Sequence, residues 1–367
     1  MAELSDRRQF LTSVAALTAA GVLAREGEAQ AQTPAARPRR IDLHHHYQSP
    51  GLTQYLAKYG ITVPQYEREP LTRRPWTPAI ASDGLEKYGI DLAYTSAATY
   101  YTRTARLTKA GAQIYSGDIM RSLARDTNDY GARICADSKG RFRLLAVLPQ
   151  SDIDGSLKEI DYAINTLEAP GFCMGTSIGT TYLGDKKLEP ILEELNRRNA
   201  VVYTHPNEPD WSVDLVPGVS AAAVWYGNDT TVAIWSLLSS DAPKKYPNIR
   251  WIMSHAGGTL PFMVQRVVGE PVAPKLNGTP KPGERLYYLR RNFFYDTAQT
   301  ANAAAMPALK AMAGVSQILF GTDYPWSTID VDVEGMTDAG CFTPDELNTI
   351  YRENALRLLP LSLGVTG

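Results

Sequence analysis

Short apolar runs alternate with longer segments in which apolar residues recur at helical spacing, and this pattern continues along most of the chain. Apolar runs of four to eight residues bounded by polar or turn residues are typical of buried strands. The pattern predicts eight strands, near residues 41–46, 91–97, 143–149, 172–176, 201–205, 250–255, 292–297 and 317–322.

Amphipathic segments predict helices between most of these strands. The predicted helices cover residues 80–88, 119–136, 157–167, 187–198, 231–240, 301–312 and 344–359. Eight strands that alternate with helices favour a closed parallel (β/α)₈ TIM barrel over an open doubly wound sheet. A chain of 367 residues accommodates one barrel with insertions, so we predict a single catalytic domain over residues 41–362.

Two connections are too long to be simple turns: residues 47–79 after strand 1 and residues 206–229 after strand 5. In a TIM barrel, loops that follow strands lie at the C-terminal face, where active sites are built. We therefore predict insertions that form lids or pocket walls there. Four aromatic residues on the rim are candidates either for an apolar substrate wall or for ordinary loop packing: Tyr47, Trp225, Tyr226 and Trp326.

The N-terminal segment has the order of regions found in an export signal. Arg7 and Arg8 precede an uncharged run over 12–24, and a small-residue Ala-Gln-Ala site ends at Ala31. We interpret residues 1–31 as a twin-arginine signal peptide and 32–40 as a linker, the alternative being a short amphipathic helix. The apolar run is shorter than the roughly 20 residues a membrane span needs. The expected mature protein is periplasmic or otherwise exported, without a membrane span.

Charge and cysteine content narrow the range of partners. The chain has 37 basic and 39 acidic residues and a formal net charge of -2, which gives no field to attract nucleic acid or anionic lipid. The three widely spaced cysteines, Cys135, Cys173 and Cys341, indicate neither a disulfide framework nor a thiolate zinc site. A small molecule is the expected partner.

All five histidines lie at the C-terminal ends of three predicted strands. His44 and His46 share one face of the first strand because side chains alternate along a strand, whereas His45 points to the opposite face. His205 ends the fifth predicted strand and His255 the sixth. We assign His45 to packing or to hydrogen bonding behind the site.

Asp323 follows the eighth predicted strand and brings a carboxylate to the same rim. By itself it is equally consistent with a turn residue. Together with His44, His46 and His205 it completes a nitrogen and oxygen donor set that suits Zn²⁺ well and Mn²⁺ or Fe²⁺ acceptably, while the absence of thiolates excludes a soft site. A bound ion would activate water or polarise a substrate oxygen.

Four sequence strings resemble the metal-site motifs of the amidohydrolase-2 family, whose type member is 2-amino-3-carboxymuconate-6-semialdehyde decarboxylase. They are Ile41-Asp42-Leu43-His44-His45-His46, Thr204-His205-Pro206, Ser254-His255-Ala256-Gly257-Gly258 and Gly321-Thr322-Asp323-Tyr324-Pro325. The resemblance extends from about residue 41 to residue 359. It implies His44, His46, His205 and Asp323 as metal ligands and His255 as the acid/base histidine. Because predicted strand 4 has no lysine to bridge two ions, it implies one metal.

Residues 179–185, 194–198, 255–262 and 295–298 resemble more closely the 6-methylsalicylate decarboxylase branch of this family. This resemblance implies a carboxy-lyase acting on a hydroxyaryl carboxylate. Arg266 stands where the family has an arginine that binds the substrate carboxylate across a subunit boundary, which implies a homodimer; the alternative is a solvated helix residue. A second family arginine has no clear counterpart, and Arg73 or Arg74 is a candidate to replace it.

The same residues are compatible with two other functions. In a metal-dependent hydrolase of a lactone or amide, Asp323 would act as the general base and His255 would polarise the oxyanion. A periplasmic metal-binding or ligand-binding protein without turnover is a third hypothesis. The complete donor set with an additional acid/base histidine argues against that third hypothesis, and the branch resemblance favours decarboxylation over hydrolysis.

Overall fold

The computed structural model describes residues 39–47, 49–51, 54, 76–97, 117–207, 216–219, 221–269, 276 and 278–359. The predicted signal peptide, most of the insertion after the first strand, and Arg73 and Arg74 lie outside these residues. Within the described part of the chain, no helix is long and apolar enough to cross a membrane.

Eight parallel strands form one sheet in the order β1-β2-β3-β4-β7-β8-β9-β10. Their bounds are β1 Arg40–Tyr47, β2 Ile90–Ala97, β3 Phe142–Val147, β4 Gly171–Gly175, β7 Val201–His205, β8 Arg250–Met253, β9 Phe293–Asp296 and β10 Ile318–Leu319. An antiparallel hairpin, β5 Ser177–Ile178 and β6 Thr181–Tyr182, stands beside the sheet.

Backbone hydrogen bonds between β1 and the segment after β10 bring the two edges of the sheet together. Leu43 donates to the carbonyl of Phe320 at 2.9 Å, and His46 donates to the carbonyl of Tyr324 at 2.8 Å. A parallel bridge also pairs His45 with Tyr324. The first and last strands are therefore neighbours, as a barrel requires, and the predicted (β/α)₈ fold is confirmed.

Helices follow the strands around the barrel. The described α-helices are α1 Pro78–Lys87, α2 Gly117–Asp137, α3 Ile153–Asn165, α4 Glu189–Arg197, α5 Ala221–Ser239, α6 Ala242–Lys245, α7 Leu260–Val268, α8 Arg285–Leu289, α9 Ala305–Ala313, α10 Ile329–Asp338, α11 Pro344–Asn348 and α12 Asn354–Leu358. A π-helical turn, Thr349–Glu353, joins the last two. Helix starts carry local signals: Thr77 and Asp152 cap α1 and α3 through their side chains, and Thr343 and Glu346 form a capping box at α11, which satisfies otherwise unpaired amides.

The second predicted insertion is shorter than expected. Helix α5 begins at Ala221, so Trp225 and Tyr226 lie on a helix and not in a loop that continues to residue 229. Three alanines, Ala221 to Ala223, open the helix, and alanine has the highest helix propensity. In the sequence, Trp225 and Tyr226 directly after these alanines favoured the interpretation as an aromatic loop.

Candidate metal centre

Four side chains from three strand ends converge at one point of the barrel rim. His44 and His46 leave the end of β1, His205 ends β7, and Asp323 follows β10. One ligand atom from each of these four side chains lies within 4.8 Å of the others, and all four residues are buried. The predicted donor set is therefore assembled in space.

The shortest separations in this cluster match adjacent ligands on one ion. Nε2 of His44 lies 3.2 Å from Nε2 of His46, and these nitrogens lie 3.1 and 3.0 Å from Oδ1 of Asp323. Ligands bound to one ion at about 2.1 Å are separated by roughly 3.0–3.4 Å. The spacing fits a single divalent ion.

Each histidine uses its Nδ1 atom to bind an acceptor behind the cluster. Nδ1 of His44 lies 2.8 Å from Oδ2 of Asp296, and Nδ1 of His205 lies 2.9 Å from the carbonyl oxygen of Pro206. Nδ1 of His46 lies 3.3 Å from the carbonyl oxygen of Ser96. Because these acceptors require a proton on Nδ1, all three Nε2 atoms present lone pairs to the centre, which is the tautomer a metal ligand needs.

Two buried atoms of the cluster also indicate a metal site. Nε2 of His205 and Oδ1 of Asp323 are buried and have no hydrogen-bond partner among the described residues. Buried polar atoms without a partner are costly unless a ligand satisfies them. The donor set, the tautomers and these atoms together fit one divalent metal ion.

The electrostatics of the cluster favour positive charge. Burial by itself lowers the pKa of His44, but the carboxylates of Asp296 and Asp323 outweigh it and raise this pKa to about 10. Burial lowers the pKa of His46, and burial with the neighbouring imidazoles lowers that of His205 well below its usual range. Burial alone would raise the pKa of Asp323, yet its contacts with the histidines hold that pKa well below the ordinary value. The site therefore stabilises the Asp323 carboxylate and neutral imidazoles at His46 and His205, whereas the two carboxylates beside His44 stabilise a positive charge there. A bound cation would replace the proton of His44.

Local backbone strain aims several side chains at the centre. His255, Gln299 and Asp323 have φ values of 53°, 55° and 54°, in the left-handed region that non-glycine residues seldom adopt. Gly321 provides space just before Asp323, because a Cβ atom there would lie 2.7 Å from Cβ of His44. These positions all lie at the rim, where geometry at the site outweighs local conformational preference.

His255 contacts the second oxygen of Asp323, and its ring also lies close to His44 and His205, with centroid distances of 4.9 and 5.6 Å. Its Nε2 atom lies 3.3 Å from Oδ2 of Asp323, and its side chain is 12% exposed while that of His44 is fully buried. The Nε2 amide of Gln299 donates to the same oxygen, Oδ2. His255 is thus next to the donor set without being part of it.

Several carboxylates and amides that hold this site belong to no motif recognised in the sequence. Asp296 binds His44 and accepts the backbone N–H of His255 at 2.9 Å. Asp42 accepts from the backbone N–H of His44 at 3.0 Å and from the Thr322 hydroxyl at 2.6 Å, so it joins both edges of the sheet. The available signal for Asp296 was its position at the C-terminal end of a barrel strand.

The other predicted site residues have different surroundings. His45 stacks on Tyr324 with ring centroids 5.2 Å apart and lies 3.2 Å from Asp42, so its assignment to packing behind the site agrees with the geometry. Arg266 lies on the exposed side of α7, and within the described residues no hydrogen bond or ion pair connects it to the cluster. The hydroxyl of Tyr47 donates to the carbonyl of Thr127 in α2, so the side chain of Tyr47 packs between β1 and α2.

Tyr226 is the predicted aromatic wall residue with a described ring contact to the cluster. Its ring centroid lies 6.0 Å from that of His205. Trp326 is partly buried against the core.

A family model described as amidohydrolase matches residues 41–361. The chain belongs to the amidohydrolase family. A 6-methylsalicylic acid decarboxylase of Penicillium expansum is 32% identical over 292 residues, which cover 78% of this chain and 85% of that protein. The family assignment made from the motifs is confirmed.

Two solved structures share this amidohydrolase fold. The 5-carboxyvanillate decarboxylase of Sphingomonas paucimobilis superposes with a TM-score of 0.75 at 20% identity, covering 89% of this chain and 100% of the other. The 5-carboxyvanillate decarboxylase of Novosphingobium aromaticivorans, complexed with manganese and 4-hydroxy-3-methoxy-5-nitrobenzoic acid, gives a TM-score of 0.74 at 20% identity, covering 88% and 96% of the two chains.

Proposed function

We infer that this amidohydrolase is a metal-dependent, non-oxidative decarboxylase of a hydroxyaryl carboxylate similar to 6-methylsalicylate. The observation that carries the inference is a buried donor set of three histidines and one carboxylate, with a further histidine, His255, at the second oxygen of that carboxylate. The similarity to the 6-methylsalicylic acid decarboxylase of P. expansum, which extends over most of both chains, supports decarboxylation as the reaction of this site.

We propose that His44, His46, His205 and Asp323 hold one divalent ion. The donor set suits Zn²⁺, which we propose as the native metal, and Mn²⁺ is the alternative because a structural relative contains manganese. When bound, the ion would supply electrostatic stabilisation of the negative charge on the phenolic oxygen. Metal analysis of protein purified without added metal distinguishes the two ions.

In the proposed reaction, a proton is added to the ring carbon that bears the carboxylate. The His255 and Asp323 pair holds this proton between Nε2 and Oδ2, which are 3.3 Å apart. Proton transfer to the ring carbon interrupts the aromatic system; the bond to the carboxylate carbon then breaks, its electron pair restores the ring, and CO₂ leaves. His255 or Asp323 must regain a proton from solvent before the next turnover.

We propose that Arg266 binds the substrate carboxylate. A guanidinium group forms paired hydrogen bonds with a carboxylate, and the exposed position of Arg266 on α7 suits contact with a site on a second copy better than contact with the described cluster of its own chain. This assignment requires a homodimer. A monomer that retains full activity at low concentration would contradict it.

The test of the reaction is proton NMR in D₂O with metal-loaded protein, a panel of hydroxybenzoates that includes 6-methylsalicylate, and a parallel panel of lactones. Decarboxylation predicts deuterium at the former carboxylate carbon, and this signal should be lost in Asp323→Asn. If lactones open while hydroxybenzoates remain unchanged, the protein is a hydrolase with the same metal site. If neither panel reacts although metal binds, a binding protein without turnover is the better description.

We propose that residues 1–31 direct export by the twin-arginine route, on the basis of Arg7, Arg8 and the small-residue site ending at Ala31. In a bacterial host, mass spectrometry of the mature protein should find an N-terminus near Gln32. The double substitution of Arg7 and Arg8 by lysine should leave the uncleaved chain in the cytoplasm. Cleavage that does not depend on these arginines would refute this route.

A further inference from the structure

A buried carboxylate on α5 contacts the peptide group that orients one of the proposed metal ligands. Asp229 is fully buried, and its Oδ2 atom accepts the backbone N–H of Asn207 at 2.9 Å. That N–H belongs to the same peptide unit as the carbonyl of Pro206, which lies 2.9 Å from Nδ1 of His205. One peptide group thus joins Asp229 to His205.

Two further hydrogen bonds fix this carboxylate. The hydroxyl of Thr176 also donates to Oδ2, and the hydroxyl of Tyr182 donates to Oδ1 at 2.8 Å. Thr176 in turn donates its backbone N–H to the carbonyl of His205 at 3.0 Å. The Asp229 carboxylate therefore connects α5 to Tyr182 in the hairpin and to Thr176 just before it. The segment that carries His205 is held at two points, by Asp229 through Asn207 and by Thr176 through the His205 carbonyl.

A carboxylate lies behind both His44 and His205, directly for the first and through a peptide group for the second. His44 is oriented by a direct contact with a carboxylate, that of Asp296, at 2.8 Å. His205 has a peptide carbonyl at the corresponding position, and a carboxylate lies one hydrogen bond further out. A negative charge on the N–H side polarises a peptide group and makes its carbonyl a stronger acceptor, so Asp229 supports the Nδ1–H tautomer of His205 and leaves its Nε2 atom free.

We propose that Asp229 is a positioning residue that sets the tautomer and ring orientation of His205 through the peptide group of Pro206 and Asn207. This inference rests on the proposed role of His205 as a metal ligand. Substitution of groups that orient ligating histidines lowers metal affinity by about 10–100-fold. Asp229→Ala should therefore lower the affinity for Zn²⁺ or Mn²⁺ at least about tenfold, and Asp229→Asn, which keeps an acceptor oxygen without the charge, should lower it less.

Tyr182→Phe is the matched control, because it removes a hydrogen bond to the same carboxylate but leaves the contact with Asn207 in place. Its metal affinity should remain within about twofold of the wild-type value, since the relay to His205 is intact. Circular dichroism of the metal-free proteins establishes that each variant is folded. If Asp229→Ala does not fold, the metal affinity of Asp229→Asn is compared with that of Tyr182→Phe, and lower affinity in Asp229→Asn supports the proposal.

The experiment is calorimetric titration of the metal-free proteins with Zn²⁺ and Mn²⁺, followed by visible absorption spectra after loading with Co²⁺. We expect weaker binding and shifted Co²⁺ bands in the Asp229 variants, but not in Tyr182→Phe. Equal affinities and identical spectra in all three variants would overturn the proposal. If the wild-type protein itself bound no metal, the proposed function would fail, and this result is distinct from wild-type binding that Asp229 does not influence.

Discussion

Nε2 of His255 lies 3.3 Å from Oδ2 of Asp323, whereas Oδ1 of the same carboxylate lies 3.0 Å from His46. The two oxygens of Asp323 therefore face different partners. One belongs to the donor set and the other contacts the histidine that is not part of that set. This division allows one carboxylate to serve both the metal and the proton transfer in the proposed reaction.

Removal of the His255 imidazole should separate catalysis from metal binding. We predict that His255→Asn retains its metal, because His255 is not in the donor set, and loses roughly 10²- to 10⁴-fold in kcat, the usual contribution of an acid/base group. Asparagine is chosen because His255 has a φ of 53° and asparagine tolerates this conformation. The measurements are metal content and the rate of CO₂ release. A variant with wild-type kcat would exclude His255 from the chemistry.

Gln299 should affect catalysis through the orientation of Asp323. Its side-chain amide donates to Oδ2, and its φ of 55° is again tolerated by asparagine. Gln299→Asn is one methylene shorter and cannot keep this contact with the backbone in place. We predict a decrease in kcat of about tenfold with stoichiometric metal, measured by steady-state kinetics and metal analysis. Loss of metal in parallel with activity would instead assign Gln299 to the integrity of the donor set.

The space beside Gly321 is required for the first strand to reach the centre. A Cβ atom at this position would lie 2.7 Å from Cβ of His44 and 3.1 Å from Cβ of Asp296, so Gly321→Ala should displace both side chains. We predict a loss of stability of about 1–3 kcal/mol, as for other overpacked sites, together with weaker metal binding, measured by denaturant unfolding and calorimetry.

Gly227→Ala is the control for this substitution. A Cβ atom there meets only ordinary contacts, the nearest at 3.7 Å, and the residue lies within α5. This variant should bind metal like the wild type and should be as stable or slightly more stable. If both alanine variants behaved alike, crowding at His44 would not be the cause of the effect.

The sequence was sufficient to predict the barrel and the convergence of the four candidate donor residues, because both leave a periodic or positional signal. The strands are apolar runs of regular spacing, and Val201–His205 was predicted with the bounds that the structure has. His44, His46 and His205 could be assigned because all histidines of the chain are at strand ends, which is improbable without a common function. Strand ends meet at one face of a barrel, so their convergence followed from topology.

The residues that were not predicted act through backbone conformation and long-range contacts. Gln299 reaches Asp323 because of a left-handed backbone, and no periodicity reports such a turn. Asp229 contacts Asn207 from helix α5, which begins at Ala221, whereas the predicted helix begins ten residues later, at residue 231. Helix α7, which carries Arg266, was also not among the predicted helices. Gly257 and Gly258 directly before it are loop signals, and Pro261 lies in its first turn, where proline is tolerated.

Asp332 should make the stability of this protein fall as the pH rises. It lies in α10, and its pKa is raised to about 9. Burial is the main cause; the charges of Asp323 and Asp42 add to it, and the N–H of Gln299 and the charge of His44 oppose it. The carboxyl group of an unfolded chain has a pKa near 3.9. The folded state therefore keeps a proton that the unfolded state releases, and its stabilising effect is complete below about pH 4 and is lost as the pH approaches 9.

Asp332→Asn tests this prediction because asparagine imitates the neutral acid and still accepts the backbone N–H of Gln299, which lies 2.8 Å from Oδ1 of Asp332. The free energy of unfolding of the wild type relative to the variant should decrease from pH 5 to pH 9, with a slope of order 1.4 kcal/mol per pH unit for one proton. Both proteins are measured free of metal, so that the pH dependence of metal binding does not contribute, and all other titrating groups cancel in the difference. A difference that stays constant over this range would mean that Asp332 is ionised in the folded protein, with its charge balanced by a neighbouring group.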